Sequence, residues 1–218
     1  MSVSGSTAFD VETLPIDRVD DGTSILLTGD DTEALKTVFS RIVAADEDER
    51  SIVLATNAGG RAVRRTLRNA KSGAGDRASV LTCEGPDHDD AVTTVDDIGD
   101  LTRLGMEFSS LVAASQQSTA RFRAGIFLCS TICSEVEDTR SVFRFLNTNF
   151  LTELRRGEGI GVCAIDTSAD LETDINSMIS GMETSFSARI DIKVTGRTDA
   201  TLTVSGLSGV DETVDVTL

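Results

Sequence analysis

The chain has 218 residues, enough for one medium-sized domain that buries about 70% of its unfolded surface and needs no disulfide or metal to fold. It carries 20 basic and 36 acidic residues, and the net charge of −16 disfavours binding to a phosphate backbone. A hydrophobic fraction of 39% excludes a wholly disordered chain, and no apolar run approaches the length of a membrane-spanning helix.

The acidity also indicates a cellular environment. The lysines are limited to Lys36, Lys71 and Lys193, and a foldable chain that is rich in Asp and poor in Lys is typical of a cytosolic protein from a high-salt cell. Every protein in such a cell is acidic, so charge alone does not exclude a nucleic-acid partner. No secretory leader precedes Leu14, and the four cysteines are predicted to be reduced and buried, which favours a cytoplasmic location.

Residues 1–20 are polar, and Pro15 interrupts any helix, so we predict an arm that leads into the domain. After the arm, short apolar runs alternate with stretches of helical periodicity. The predicted elements are strands at 24–28, 51–56, 79–82, 124–131 and 159–166 and helices at 30–45, 59–70, 98–118, 135–155 and 171–182. The ranges 186–194 and 201–205 alternate polar and apolar residues and predict an antiparallel hairpin.

The order of these elements predicts the fold class. Strands that alternate with helices form right-handed βαβ units on a parallel sheet. We therefore predict an α/β domain over 21–210 that has a mostly parallel sheet, a C-terminal antiparallel hairpin along one edge, and a short tail at 211–218.

The chain is organised around a corner between a strand and a helix at 22–37. The apolar strand ends at Gly29, the helical pattern starts just after it, and Asp30 or Asp31 can cap the helix. In α/β proteins a phosphate-binding loop of the form G-x-x-x-x-G-K-[ST] lies at such a corner. When this pattern is aligned from Gly29, the apolar residue Leu35 stands where the phosphate-binding lysine should be.

Acidic residues also oppose phosphate binding at this corner. Asp30, Asp31 and Glu33 lie where a triphosphate would sit, and each like-charge pair at 4 Å costs about 1–4 kcal/mol. A lengthened loop that uses Lys36 and Thr37 is an alternative, and it would make the protein a divergent NTPase with a displaced phosphate loop. Against it, the extra residue belongs to the helix and rotates the lysine by about 100°.

The order of elements and several local stretches resemble the RecA-like ATPases, most closely the KaiC-like branch. The stretches are 22–29 at the front, 145–157 before the strand at 160–165, and the terminal hairpin. The similarity spans residues 20–210 in architecture, but only the first stretch is specific as sequence. The chain resembles in particular the reduced, divergent KaiC-like proteins of halophilic archaea, and the resemblance implies a RecA-like three-layer sandwich.

The resemblance also implies four chemical positions, and none carries its expected residue. The phosphate-binding lysine is replaced, and the fourth strand ends without a carboxylate for Mg²⁺, since Glu135 and Glu137 lie further on at a predicted helix start. After the second strand the family's glutamate is replaced by Asn57, which could orient a water but not take its proton. The hairpin stretch 203–208 lacks the basic residues that related ATPases send into a neighbour's nucleotide.

These losses predict a protein without catalytic residues, nucleotide cofactor or metal. We expect it to act as a regulatory or signalling interaction module for a protein partner or for a second copy of itself. The candidate surfaces are the hairpin edge and a helix that carries Arg61, Arg64, Arg65 and Arg68. The four arginines could instead form a solvated helix face paired with local acids. A further alternative is a nucleic-acid-associated regulator, but the chain lacks stacking aromatics and a helix-turn-helix pattern.

Two groups of residues are weak candidates for a metal site. His88 lies in an acidic loop at 85–97 that offers no soft ligand beside it. Cys129 and Cys133 have a C-x3-C spacing, but no second Cys or His pair accompanies them. Neither group therefore predicts a bound metal.

Overall fold

The computed structural model describes residues 8–11, 14, 16, 18–85, 90–171, 174–207 and 210–218. In this part of the chain, nine strands form one sheet with the order β4-β3-β2-β5-β6-β1-β7-β8-β9. The strands are β1 Ser24–Gly29, β2 Arg50–Ala55, β3 Ala78–Thr82, β4 Val92–Thr94, β5 Arg121–Phe127, β6 Glu158–Asp166, β7 Ala188–Val194, β8 Asp199–Leu207 and β9 Val210–Thr217. All neighbouring strands are parallel except β7 with β8 and β8 with β9, which confirms the predicted α/β sheet.

Helices cover both faces of the sheet. They are α1 Thr32–Val43, α2 Gly60–Ala70, α3 Leu101–Gln116, α4 Cys129–Glu135, α5 Thr139–Phe145, α6 Leu151–Arg156 and α7 Ile175–Glu183. Side chains of a strand alternate between faces, so Ile25 and Leu27 pack into the cluster beneath α1 and α2, whereas Leu26 packs into the cluster beneath the other five helices. The predicted three-layer arrangement is therefore confirmed.

The middle of the chain departs from the predicted elements. The predicted strand 124–131 ends at Phe127, and Cys129 already begins α4. The predicted helix 135–155 is interrupted before Asp138, which caps α5 by accepting a hydrogen bond from the Arg140 amide. A π-helical turn, Leu146–Phe150, then joins α5 to α6. The continuous apolar run at 126–129 fits a buried strand and a buried helix equally well, which is why this boundary was predicted wrongly.

Two strands were absent from the sequence prediction. Strand β4 lies inside the predicted acidic loop 85–97 and pairs in parallel with β3. Strand β9 occupies most of the predicted tail 211–218 and turns the predicted hairpin into a three-stranded antiparallel unit. In β9, acidic residues crowd the exposed positions, and they obscured the period-two alternation of the inward Val214 and Val216.

The N-terminal residues pack against the domain. Phe9 forms an isolated antiparallel bridge with Val19 and has no exposed surface. The guanidinium carbon of Arg121 lies 4.1 Å from the centre of the Phe9 ring, and Arg121 also donates to the carbonyl of Ala8 at 3.1 Å. Among the described residues of the predicted arm, Phe9, Val11, Leu14 and Val19 are therefore buried in the core.

A buried ion network holds this segment to the sheet. Arg123 on β5 is 1% exposed, and its Nε donates to Glu49 Oε2 at 2.5 Å. Its two other nitrogens reach Asp46 Oδ2 at 3.1 Å, the carbonyl of Ile42 at 3.0 Å and the carbonyl of Asp10 at 2.9 Å. Glu49 is 3% exposed and Asp46 is 33% exposed, so Glu49 supplies the more buried of the two carboxylates that Arg123 contacts. A buried charge of this kind needs such partners in order to be tolerated.

Glu49→Gln should lower the free energy of unfolding by about 3 kcal/mol, the lower end of the cost of removing one partner from a buried ion pair. Chemical denaturation at constant salt measures the effect. Glu33→Gln is the matched control because Glu33 pairs with Lys36 but is 81% exposed, and its loss should cost less than about 1 kcal/mol. Equal losses from the two variants would contradict the structural role of the buried network.

Candidate functional site

The corner between β1 and α1 is narrow and is closed by its own side chain. Strand β1 ends at Gly29 and α1 begins at Thr32, so only Asp30 and Asp31 lie between them. The carboxylate of Asp31 accepts a hydrogen bond from the amide of Ala34 at 2.8 Å and so caps the helix. An amide group that could face an anion is therefore already used by the chain.

The glycine at this corner has a packing role. A Cβ on Gly29 would lie 3.3 Å from both Cβ and the carbonyl oxygen of Ile192 on β7 and 3.5 Å from Leu35. Such contacts are tight, so the close approach of β7 and α1 to the end of β1 favours glycine here. The requirement for glycine therefore comes from the packing of the sheet and the core.

The residues after the corner are divided between the core and the surface. Leu35 is fully buried, as the helical pattern predicted. Lys36 Nζ lies 3.2 Å from both carboxylate oxygens of Glu33, and the Thr37 hydroxyl donates to the Glu33 carbonyl at 2.9 Å. The lysine and hydroxyl of the displaced-loop alternative are thus on the flank of α1 and are engaged with the helix itself.

Asp166, at the carboxyl end of β6, pairs with Gly29 beside the corner and was not singled out by the sequence prediction. Thr32 Oγ1 donates to Asp166 Oδ2 at 2.7 Å, and the Ser168 hydroxyl and amide donate to Oδ1 at 2.6 and 2.9 Å. Burial alone would raise the pKa of Asp166, but the hydrogen bonds from Ser168 and Thr32 outweigh it and hold the pKa below its ordinary value. The sequence could have pointed to Asp166, because it ends a predicted parallel strand and functional side chains often follow the carboxyl ends of such strands.

The ends of β2 and β5 are tied to each other. Thr56 Oγ1 accepts a hydrogen bond from the Leu128 amide at 2.9 Å and donates one to the Leu128 carbonyl at 3.2 Å. The Thr56 amide donates to the Phe127 carbonyl at 2.7 Å. Asn57, which follows, is exposed. These contacts fill the space between the strand ends with protein groups.

The predicted acidic pair beyond β5 is placed differently from the prediction. Glu135 is the last residue of α4, and Glu137 lies between α4 and α5, so neither begins a helix. Both side chains are exposed. Among the described residues, no group of three or more His, Cys, Asp or Glu side chains could hold a metal ion.

The four predicted interaction arginines lie together on α2 but have different surroundings. Arg64 Nε donates to the Gly75 carbonyl at 2.7 Å, and Arg68 Nη2 lies 2.8 Å from Asp76 Oδ1. The hydrogen bond and charge of Arg68 lower the pKa of the Asp76 carboxyl. Arg61 and Arg65 are exposed, and neither has an ion-pair partner among the residues that the structure describes. Two of the four therefore hold a local turn, and two remain available.

The structure brings Lys36 and Arg65 to one cleft. A cavity of 240 Å³ lies between α1 and α2, above β2 and the end of β5, and both side chains line it. In the sequence prediction, Lys36 belonged to a phosphate loop and Arg65 to an interaction helix. The sequence held no signal that α1 and α2 would place them at a shared cavity, because that depends on how the helices pack.

The cysteines and the hairpin offer no further chemistry in the described residues. All four cysteines are free thiols, and Cys129, Cys133 and Cys163 are buried. A hydrogen bond with Cys129 and burial both raise the pKa of the Cys133 thiol, which keeps it protonated and unreactive. The stretch 203–207 lies in β8 and has no basic residue.

Two predictions concern residues outside the described ranges. His88 and Ser208 lie outside the described residues, so the predictions that concern them stay predictions. Within the described ranges, no helix combines the length and the apolar character that crossing a membrane requires.

Comparison with known proteins identifies the family of the chain. Residues 22–192 match the model of a family described as "Family of unknown function (DUF7504)". No curated protein matches the sequence.

Similar folds occur among solved structures. The crystal structure of the KaiC-like protein PH0186 from the hyperthermophilic archaeon Pyrococcus horikoshii has a TM-score of 0.60 at 12% identity, over 92% of this chain and 91% of that chain. A second Pyrococcus horikoshii structure, PH0250, has a TM-score of 0.55 at 12% identity, over 84% of this chain and 86% of that one. At such identity the likeness shows the fold, and the predicted KaiC-like, RecA-like architecture is confirmed.

Thr32→Val should raise the pKa of Asp166, because it removes a hydrogen bond to the charged carboxylate. Because its pKa is lowered in the folded protein, the Asp166 carboxylate stabilises the fold at any pH above the ordinary Asp pKa. This stabilisation is lost as the pH falls through the pKa that Asp166 has in the folded protein. The variant should therefore lose less stability on acidification. A carbon-detected NMR titration of Asp166 measures the pKa, and Thr37→Val, whose hydroxyl bonds a carbonyl instead, is the control. An unchanged pKa in Thr32→Val would contradict the assigned role of Thr32.

Proposed function

The chain belongs to the DUF7504 family of unknown function and has a KaiC-like fold, and from that premise we propose that it is a non-catalytic regulatory or signalling protein. It works through contacts with a protein partner and does not hydrolyse nucleotide. The observation that carries this proposal is the two-residue corner after β1, in which Asp31 occupies the Ala34 amide.

The size of the corner supports the proposal. A phosphate loop wraps its ligand with several successive backbone amides and spans four residues between its glycines. Here the strand and the helix are separated by Asp30 and Asp31 alone. A loop this short has too few free amides to surround a phosphate group.

The charges at the corner support it as well. Asp30 and Asp31 follow β1 and Asp166 pairs beside its last residue, whereas Lys36, the lysine that a displaced loop would use, is paired with Glu33. Each carboxylate within 4 Å of a phosphate charge costs about 1–4 kcal/mol, depending on solvent access. A triphosphate would meet this repulsion without a cation to offset it.

The other positions used in phosphoryl transfer give the same indication. That reaction needs Mg²⁺ held by protein ligands and a group that positions the nucleophile. Strand β5 is followed by Leu128 and α4 instead of a carboxylate, and Asn57 cannot act as a base. The described part of β8 has no basic residue that could reach a neighbouring subunit's nucleotide.

The two alternatives are less well supported. A displaced phosphate loop would require Lys36 to leave Glu33 and the first turn of α1 to unwind, at the loss of the Asp31 cap. A nucleic-acid surface on α2 would have only Arg61 and Arg65, because Arg64 and Arg68 hold the turn at Gly75 and Asp76.

The partner protein is proposed to bind at the sheet edge formed by β9. This strand ends the sheet in the described part of the chain, and its backbone is paired on one side only. Such an edge is a template for a further strand unless charge protects it. Asp211, Glu212 and Asp215 supply that charge, and salt screens it.

Isothermal titration of the protein with ATP and Mg²⁺ in molar KCl should give no binding heat, since the corner has neither the amides nor the cation that a triphosphate needs. A thermal unfolding transition in the same buffer shows that the protein is folded. A micromolar affinity that disappears in Lys36→Ala would overturn the proposal and favour the displaced-loop NTPase.

Sedimentation velocity over a range of KCl concentrations should show self-association that strengthens with salt, because screening removes the repulsion between acidic β9 edges. Asp215→Lys should allow the association at lower salt. A single-chain mass at every salt concentration would exclude a second copy of the chain as the partner.

A further inference from the structure

The cleft between α1 and α2 is built like a small binding site. Its interior is apolar and is formed by six side chains from both helices and the two strands beneath them, namely Phe39, Val53, Ala55, Val63, Leu67 and Phe127. The Phe39 and Phe127 rings meet with their centres 5.1 Å apart and form one wall. Removing an apolar group from water into such a space is favourable.

The mouth of the cleft carries a net positive charge in an otherwise acidic protein. Glu33, Lys36 and Arg65 are the charged residues that line it. Glu33 and Lys36 neutralise each other at 3.2 Å, so Arg65 is the remaining charge and has no ion-pair partner among the described residues. An exposed guanidinium at the rim of an apolar cavity is suited to a planar anion, because it donates two parallel hydrogen bonds to a carboxylate.

The other polar groups at the cleft narrow the choice of ligand. The Ser40 hydroxyl donates to the Thr37 carbonyl at 2.9 Å and the Thr66 hydroxyl to the Ala62 carbonyl at 3.1 Å. Their protons are used within their own helices and Lys36 is paired with Glu33, so the donors left for a ligand come from Arg65 and the exposed side-chain amide of Asn57. This donor set fits one anionic head group.

The volume of the cleft limits the body of the ligand. At 240 Å³ it lies below the range of roughly 300–1,000 Å³ that holds drug-sized molecules. A nucleoside triphosphate, with base, ribose and three phosphates, is too large and too polar for it. A short alkyl or single-ring body fits the apolar interior.

We propose that the α1–α2 cleft binds a small amphipathic carboxylate, whose apolar body enters between Phe39 and Val63 and whose carboxylate pairs with Arg65. The site adjoins the β1–α1 corner, because Thr32 and Glu33 in the first turn of α1 line it, but its anion-binding residue, Arg65, and its apolar interior play no part in the corner. Failure of one proposal therefore leaves the other intact.

Hexanoate is the probe, and the methyl groups of Val53 and Val63 are the reporters. In methyl-labelled full-length protein, both should shift in a saturable manner on titration with hexanoate. Hexanamide, which has the same carbon chain without the charge, should bind at least about threefold more weakly, as expected for the loss of a partly exposed ion pair.

Variants separate the charge from the cavity. Arg65→Gln should weaken hexanoate binding about threefold. Arg61→Gln removes the same charge about one helical turn before Arg65, at a position that does not line the cleft, and should leave binding unchanged. Ala62→Leu fills the half-buried wall of the cleft and should abolish saturation. The Arg65 and Arg61 substitutions are at exposed positions, so they test the proposal even if the filled variant fails to fold.

Three results would overturn the proposal. The first is the absence of saturable shifts with hexanoate. The second is equal affinity for hexanoate and hexanamide, which would show that the anion is not recognised. The third is equal weakening by Arg65→Gln and Arg61→Gln, which would reveal only a general charge effect.

Discussion

The cap that Asp31 places on α1 fixes the arrangement of the whole carboxyl edge. Only Asp30 and Asp31 separate β1 from the helix. The start of the helix at Thr32 therefore sets the direction in which each of its side chains points. Leu35 and Phe39 are thereby buried against the sheet, and Lys36 is turned toward α2. A wider loop would delay the helix, rotate these side chains and open the corner. Closure of the corner and formation of the α1–α2 cleft are therefore consequences of one local hydrogen bond and the short connection around it.

The charge distribution shows how a chain with a net charge of −16 retains a compact core. The deepest ionic group is Arg123, whose partners come from the segment after α1 and from the N-terminal residues. Acidic residues are mostly solvated, as on β9, or used as helix caps, as at Asp31, Asp100 and Asp138. Arg123 is thus paired with groups of the protein itself. On α2, Arg61 and Arg65 differ because neither has an ion-pair partner among the described residues.

Much of the fold was predictable because hydrophobic periodicity is a strong signal for long elements. Strands β1, β2 and β6 and helices α1 and α2 follow the predicted ranges closely. The boundary at Cys129 was wrong because a continuous apolar run does not distinguish a buried strand from a buried helix. Strand β9 was missed because acids at its exposed positions hid its alternation.

The candidate site was predictable only where it depends on local sequence. The carboxylate cap and the buried position of Leu35 could be predicted, since both follow from neighbours along the chain. The contact of Asp166 with Thr32 joins residues that are 134 positions apart, and the approach of Lys36 to Arg65 depends on helix packing. No periodicity or motif encodes such contacts.

The most direct measurement is the amide resonance of Ala34 during a titration with ATP and Mg²⁺. An amide that is already bonded to Asp31 has no free proton to offer a phosphate, so we predict that its chemical shift stays constant up to millimolar nucleotide. A saturable shift at Ala34 would mean that the cap opens to admit a phosphate, and it would contradict a corner closed by its own acidic side chain.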